Sequence, residues 1–377
     1  MNTLSFVGVC LLMFIPFASL AFDVEAKKKS EEDKQSQWRV IAIPFYDPSV
    51  DAGLSIVPIY SFYADDTSDT SSTLSATLTY TRNDSYYFKG NTDLLLNGDS
   101  IRFVSEFGYS YTNFELLNTI DTIQEDITFD GSSYFKIHDN MFLGLGLNYS
   151  SSRFNAEKRI DKALLRILGF NNEYESDTGA KLSFLWDARE HYYYPYHGFL
   201  FELSYEDHAS WLGNDADAAY SSLFSDYRLF HSISQDDNHI LASKWVARYL
   251  LDAENAPSSA YTTYGRQGRD VQRGFVVGDY VASHMTNLEL EYRYSIKDTS
   301  SQILNNLSIV TLAGVGKVFG KQIVGPDKSF SESDTLSMVG LGLRYRLMRQ
   351  ERINVRMDIT YNNENEVLAY FSLGENI

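Results

Sequence analysis

The chain of 377 residues has one cysteine, Cys10, and only seven prolines. With no second cysteine an intramolecular disulfide is impossible, so the fold rests on backbone pairing and side-chain packing. Basic residues are scarce: 32 Lys+Arg face 50 Asp+Glu, a net charge of −18. That balance excludes nucleic-acid binding, which needs clustered cations to neutralise phosphate. Long apolar runs are missing as well. Mean hydropathy is −0.27, and only the N-terminus approaches the roughly 18 apolar residues of a membrane helix. A helical membrane bundle is therefore excluded. What is abundant is aromatic: 27 Tyr, 24 Phe and 4 Trp form 15% of the chain, and 44% is hydrophobic. Such a composition can bury a core, which excludes intrinsic disorder.

Residues Phe6 to Phe17 are apolar and Ala18-Ser19-Leu20-Ala21 is a small-x-small cleavage site. Residues 1–21 read as a secretory signal peptide, although Met1-Asn2-Thr3 carries no basic side chain. Cys10 would leave with it. Residues 22–37, with Lys27-Lys28-Lys29 and Glu31-Glu32-Asp33, read as a polar periplasmic leader.

From residue 38 to 377 the sequence alternates. Leu288, Leu290, Tyr292 and Tyr294 interleave with Glu289, Glu291, Arg293 and Ser295. Val339 to Leu347 interleaves with Gly340, Gly342, Arg344 and Arg346, and Ile353 to Tyr361 with Asn354, Arg356, Asp358 and Thr360. Period two puts each apolar set on one face of a strand. The opposite face carries full charges, which suit a wet lumen better than the solvent face of a sandwich. The segments run about 9–14 residues, enough to cross a bilayer at a tilt near 45°. Only a closed barrel satisfies every backbone polar group in hydrocarbon without helices. The reading is an all-β transmembrane antiparallel barrel of about sixteen strands, from 38–46 and 51–63 to 351–361 and 366–374, with apolar residues facing lipid. Outer connections are expected at 112–126, 154–176, 253–281 and 319–333, with a short rim helix near Ala156–Leu168. Pro44, Pro48 and Pro58 weaken the first strands. Tyr192-Tyr193-Tyr194 reads as part of an interfacial girdle.

Chemistry-bearing motifs are absent. The seven histidines form no HExxH or other metal pattern, and there is no GxSxG elbow, P-loop or dinucleotide fingerprint. The expectation is a protein with no catalytic residue, metal or cofactor.

One loop carries a resemblance. Tyr264 to Phe275 contains Gly265, Gly268, Val271, Gln272, Arg273, Gly274 and Phe275. The Arg-Gly-Phe ending resembles the signature loop of BamA/TamA-type outer-membrane barrels, the bacterial surface-antigen superfamily. Gln272 stands where that pattern has Val or Leu. Leu288–Tyr294 looks like the family's Glu-aromatic-Arg strand, and Asp187-Ala188-Arg189 with Pro195 and Gly198 resembles its Asp-x-Arg…Pro-x-x-Gly turn. Arg344, Arg356 and Asp358 fall in segments like its penultimate hairpin. Tyr370, Phe371, Gly374 and Ile377 match the terminal strand, with Ile377 where Phe is usual.

The resemblance implies that Arg273 folds into the lumen toward Glu291, with Glu289, Arg293, Arg344, Arg356 and Asp358 as lumen partners. The family's second acidic position falls at Gly314, so that partner is missing. It also implies a bacterial outer-membrane location and help with protein or lipid insertion or translocation through a lateral seam, placed near Ile43 and Ala369. Expected partners are outer-membrane lipid and lipopolysaccharide, with periplasmic proteins or client outer-membrane proteins. Residues 22–37 are too few for a polypeptide-transport-associated (POTRA) domain, so the expectation is a POTRA-less barrel. The competing reading is a passive pore or structural barrel.

Overall fold

The computed structural model describes residues 36–65, 67–68, 70–265, 272–297, 299–349, 352–375 and 377. The expected signal peptide, the leader apart from its last two residues, Gly268 and Val271 lie outside the described residues.

The strands are β1 (Gln37–Asp47), β2 (Asp51–Phe62), β3 (Ser72–Thr81), β4 (Tyr86–Leu96), β5 (Ile101–Leu116) and β6 (Ile120–His138). They continue with β7 (Met141–Asn155), β8 (Glu175–Asp187), β9 (Gly198–His208), β10 (Tyr220–Ser232) and β11 (His239–Leu250). The last are β12 (Thr262–Tyr264), β13 (Tyr280–Ser295), β14 (Leu307–Gln322), β15 (Leu336–Met348), β16 (Ile353–Asn362) and β17 (Val367–Leu373). Neighbours pair antiparallel, β11 with β13 included, and β17 returns to β1. The result is a closed barrel of sixteen staves. The seventeenth strand, β12, prolongs the line of β11 along β13, pairing Thr262 with Ala282. Among the described residues no helix is long and apolar enough to cross a membrane.

Alternation explains the wall. In β7, Leu143, Leu145 and Leu147 face out and are exposed, while Gly144 and Gly146 face the lumen. Aromatic pairs border the apolar band at both ends: Tyr86 stacks on Tyr111 at 5.0 Å, and Trp38 on Tyr60 at 4.8 Å. These are the girdles of a bilayer-spanning barrel. At the end where the long connections lie, here the loop end, α1 (Arg159–Ile167) occupies the expected rim position. The opposite rim is the turn end.

Two expectations change. Residues 112–126 are not a loop: β5 and β6 continue to Leu116 and from Ile120, paired throughout. Above Tyr109 and Tyr111 the alternation reverses its meaning. Leu116 and Ile120 point inward and are buried, while outward Glu115 and Asp121 are polar, as a wall standing in water requires. With Phe154, Leu165 of α1, Tyr220 and Leu250 they form an apolar cluster across the loop end. The tyrosine run divides as well: Tyr192 and Tyr193 are exposed, but Tyr194 is wholly buried inside the barrel rather than in a girdle.

The lumen has two unlike halves. Between β1 and β10 hydroxyl side chains such as Thr77, Thr79, Ser110 and Ser150 share the inner face with charged ones, Lys89, Glu106, Asp130 and Glu206 among them, around a cavity of about 800 Å³. On β13, β15 and β16 the inner face carries the buried charges Glu289, Glu291, Arg293, Arg344, Arg356 and Asp358, and residues 264–265 and 272–279 pack among them.

Candidate functional site

The Gly-rich loop returns into the barrel, as the resemblance implied, and Arg273 has no exposed surface. Its guanidinium meets three carboxylates. Nε donates to Glu289, Nη2 to Glu291, and Nη1 to Asp358 at 2.7 Å. Glu289 and Glu291 share the inward face of β13, two residues apart, so one fork can reach both. Asp358 comes from β16, across the loop. Gly314 offers no carboxylate, as expected, and Asp358 stands in as the second acid opposite Glu289 and Glu291.

The remaining charges interlock. Arg344 Nη1 donates to Asp358 at 2.5 Å, and its Nε to Glu375 at 2.7 Å. Arg293 Nε donates to Glu291 at 2.7 Å. Arg356 lies 3.6 Å from Asp358 and donates to Ser372 of β17 at 2.7 Å. All these side chains are buried, and a buried charge is tolerable only when paired and hydrogen-bonded. Every lumen residue singled out in the sequence therefore belongs to one network. Sequence reasoning missed Glu375 and Lys244. Alternation marks Lys244 as inward on β11, where the register places it opposite Glu289.

Neighbouring residues fix the loop backbone. Gly274 N–H donates to the Tyr370 hydroxyl of β17 at 2.8 Å, and Asn362 Nδ2 donates to Gly274 O at 2.8 Å. Gly274 has φ +94°, and a Cβ there would lie 2.8 Å from Met338 Cβ. Only glycine fits on both counts. Phe275, fully buried, packs edge-on against Tyr264 at 5.6 Å. Gly265 also has positive φ, at +113°. Two of the departures from the family pattern, Gln272 and Gly314, meet in space. Gln272 accepts from the Tyr264 hydroxyl, and a Cβ on Gly314 would lie 2.8 Å from Gln272 Nε2. A glycine at 314 makes the room that glutamine at 272 occupies.

Further along, the Val277 N–H donates to Ser49 Oγ at 3.0 Å, and Gly278 O accepts from Leu117 N–H at 2.8 Å. The loop thus touches the β1–β2 and β5–β6 turns. Beside them Asp279 is pushed up to about 7, first by burial and then by Glu366, Glu364 and Glu115.

The terminal strand lies at the other key position. β17 and β1 are registered at one pair, Tyr46 with Phe371. By contrast β16 and β17 share seven pairs and β1 and β2 eleven. Gly374, at φ +85°, donates its N–H to Asn354 O at 2.8 Å. Ile377 is buried against Phe230 and Ala242.

No family model and no curated protein matches the sequence. Solved structures do. The chain is similar to BamA from Haemophilus ducreyi lacking POTRA domains 1–3, with a TM-score of 0.64 at 12% identity, over 90% of this chain and 70% of that one. It is also similar to CdiB from Acinetobacter baumannii (TM-score 0.55, 10% identity, 91% of this chain, 60% of that one). CdiB from Escherichia coli gives 0.57 at 8% identity, over 90% and 63%. The chain thus spans less than two thirds of either CdiB chain. What it shares with all three is the fold, a transmembrane β-barrel of the BamA and CdiB type.

Proposed function

We propose that this barrel resides in the bacterial outer membrane and aids insertion or translocation of protein or lipid by opening sideways between β1 and β17. In this orientation the turn end faces the periplasm and the loop end the exterior. The observation that carries the reading is the seam. Every other neighbouring pair of staves is registered over seven or more residue pairs, and this one over a single pair. Backbone hydrogen bonds between staves hold a barrel closed in lipid, so the place with fewest of them parts first. Substrates that would use such an opening are amphipathic: membrane lipid, lipopolysaccharide, or the strands of a client outer-membrane protein. The reaction is one of placement, with no bond made or broken.

The test is a crosslink. The register moves it from the Ile43 and Ala369 of the sequence reading to Tyr46→Cys with Phe371→Cys. Oxidation should abolish the contribution of the protein to outer-membrane protein or lipopolysaccharide levels, and reduction should restore it. A locked barrel with full activity would sink the lateral reading. The second reading, a passive pore, draws on the 800 Å³ cavity. It predicts steady conductance in planar bilayers that the same crosslink leaves unchanged.

A further inference from the structure

The connection between β8 and β9 folds into the lumen and meets cations from three other places. Tyr194 lies under the guanidinium of Arg293, on β13, at 4.7 Å. The Tyr196 hydroxyl accepts from Arg346 of β15 at 2.9 Å. Arg352, in the β15–β16 turn, stacks on the Tyr196 ring at 4.0 Å. Its Nη1 donates to Glu190 at 2.5 Å and to Tyr194 O at 3.2 Å. Glu190 also accepts from the Tyr196 N–H at 3.0 Å, which closes the segment on itself. Along the wall β9 and β15 are separated by β10, β11, β13 and β14. These contacts therefore form a chord through the lumen, not a link between neighbours.

The far end of the chord matters. The β15–β16 turn is the base of the hairpin whose outer stave carries β17, and β17 is the stave that barely meets β1. A swing of β15–β17 away from β1 would have to pull Arg346 and Arg352 off Tyr196 and Glu190. The chord also continues inward, because Arg293 holds Glu291, and Glu291 holds Arg273. Arg352 keeps this position with its backbone at φ 50°, a conformation uncommon for a residue with a side chain.

We propose that Glu190–Tyr196 is a clasp that holds the seam-bearing hairpin in the closed barrel, and that seam opening begins with its release on the periplasmic side. This inference rests on the lateral-opening reading. Cation–aromatic and half-exposed ion-pair contacts are individually weak, so a clasp built from them is releasable.

The experiment uses the full chain in liposomes, in a Cys10→Ser background, with spin labels on Arg39→Cys of β1 and Leu373→Cys of β17, both toward the turn end. Dipolar spectroscopy then reads the share of a second, displaced distance. Glu190→Gln with Arg352→Gln should raise that share about tenfold, ~1.4 kcal/mol, and Tyr196→Phe by less. If the double variant does not fold, Tyr196→Phe, which removes one hydroxyl, carries the test. An unchanged distance distribution overturns the clasp. So does equal broadening between labels on Phe88→Cys and Phe135→Cys, which would mark a loss of general rigidity. The two readings fail separately. A clasp without effect on the seam leaves the crosslink test standing, and a fully active crosslinked barrel sinks lateral opening while the clasp result stands.

Discussion

Replacing Asp358 by Asn removes one charge and almost no volume from the Arg273 network. Asp358 has no exposed surface and accepts from Arg273 at 2.7 Å and Arg344 at 2.5 Å. Neutralising one partner of a buried ion pair costs about 3–5 kcal/mol. Arg273 keeps Glu289 and Glu291, which argues for the lower figure. At ~1.4 kcal/mol per decade, 3 kcal/mol raises the undocked share of the loop by roughly a hundredfold. The assay is alkylation of Val277→Cys in a Cys10→Ser background, since Val277 is buried in the docked loop. When docking is fast, the labelling rate follows the open population. Asp358→Asn should speed labelling about a hundredfold, and Arg273→Gln likewise. The double variant should fall short of the sum by about 1–3 kcal/mol, because the two residues share one interaction. A rate for Asp358→Asn within about threefold of the parent would refute the assignment of Asp358 as the second acid.

Three further outcomes follow from the same geometry. Gly314→Ala should destabilise the barrel by about 1–3 kcal/mol in denaturant titration, and Gln272→Ala in the same chain should recover part of that. Failure to recover would mean that the two positions are not coupled. Asp279 has its carboxyl pushed up to about 7 from an ordinary 3.8. A raised carboxyl binds its proton more tightly in the folded state, so loop docking is strongest at low pH and weakens as pH climbs from about 4 to 7. Val277→Cys labelling, divided at each pH by that of the exposed Ile160→Cys to remove thiol ionisation, should therefore be slower at pH 5 than at pH 8, and Asp279→Asn should flatten that difference. Tyr194→Ala should destabilise the fold by about 3–5 kcal/mol, as a buried aromatic truncation does. The girdle role drawn from the sequence predicts a smaller loss, so thermal unfolding decides.

The wall was legible because period-two alternation is a local signal, and the bilayer gives its apolar face one direction. That direction failed above the membrane. Around Leu116 and Ile120 the apolar residues turn inward to the cluster across the loop end, and a scan expecting lipid-facing apolar residues takes 112–126 for a loop. Arg273, Glu291 and the inward charges of β13, β15 and β16 could be placed by alternation and resemblance together. The identity of the second acid could not. Asp358 lies 85 residues from Arg273 along the chain, and only the closure of the barrel brings β16 opposite the loop. Tyr194 escaped for a related reason: its burial depends on Arg293, and nothing in a tyrosine run announces a distant cation.

The unequal filling of the lumen gives the barrel a stiff side and a soft side. From β11 to β17 the interior is a cross-braced lattice of ion pairs, and any lateral load there must strain many contacts together. From β1 to β10 much of the interior is an open cavity whose ion pairs, Lys89–Glu106 and Lys181–Asp130 among them, join nearby staves rather than crossing the lumen. That wall can bend with little inside to oppose it. β1 and β17 meet where the two regimes join. Under tension in the plane of the membrane, β15–β17 should move as one braced body once the contacts to Tyr196 and Glu190 let go, while the softer wall beside β1 follows. The same contrast bears on sequence drift: the Ser and Thr positions of the soft side should accept exchange far more readily than the charges of the stiff one.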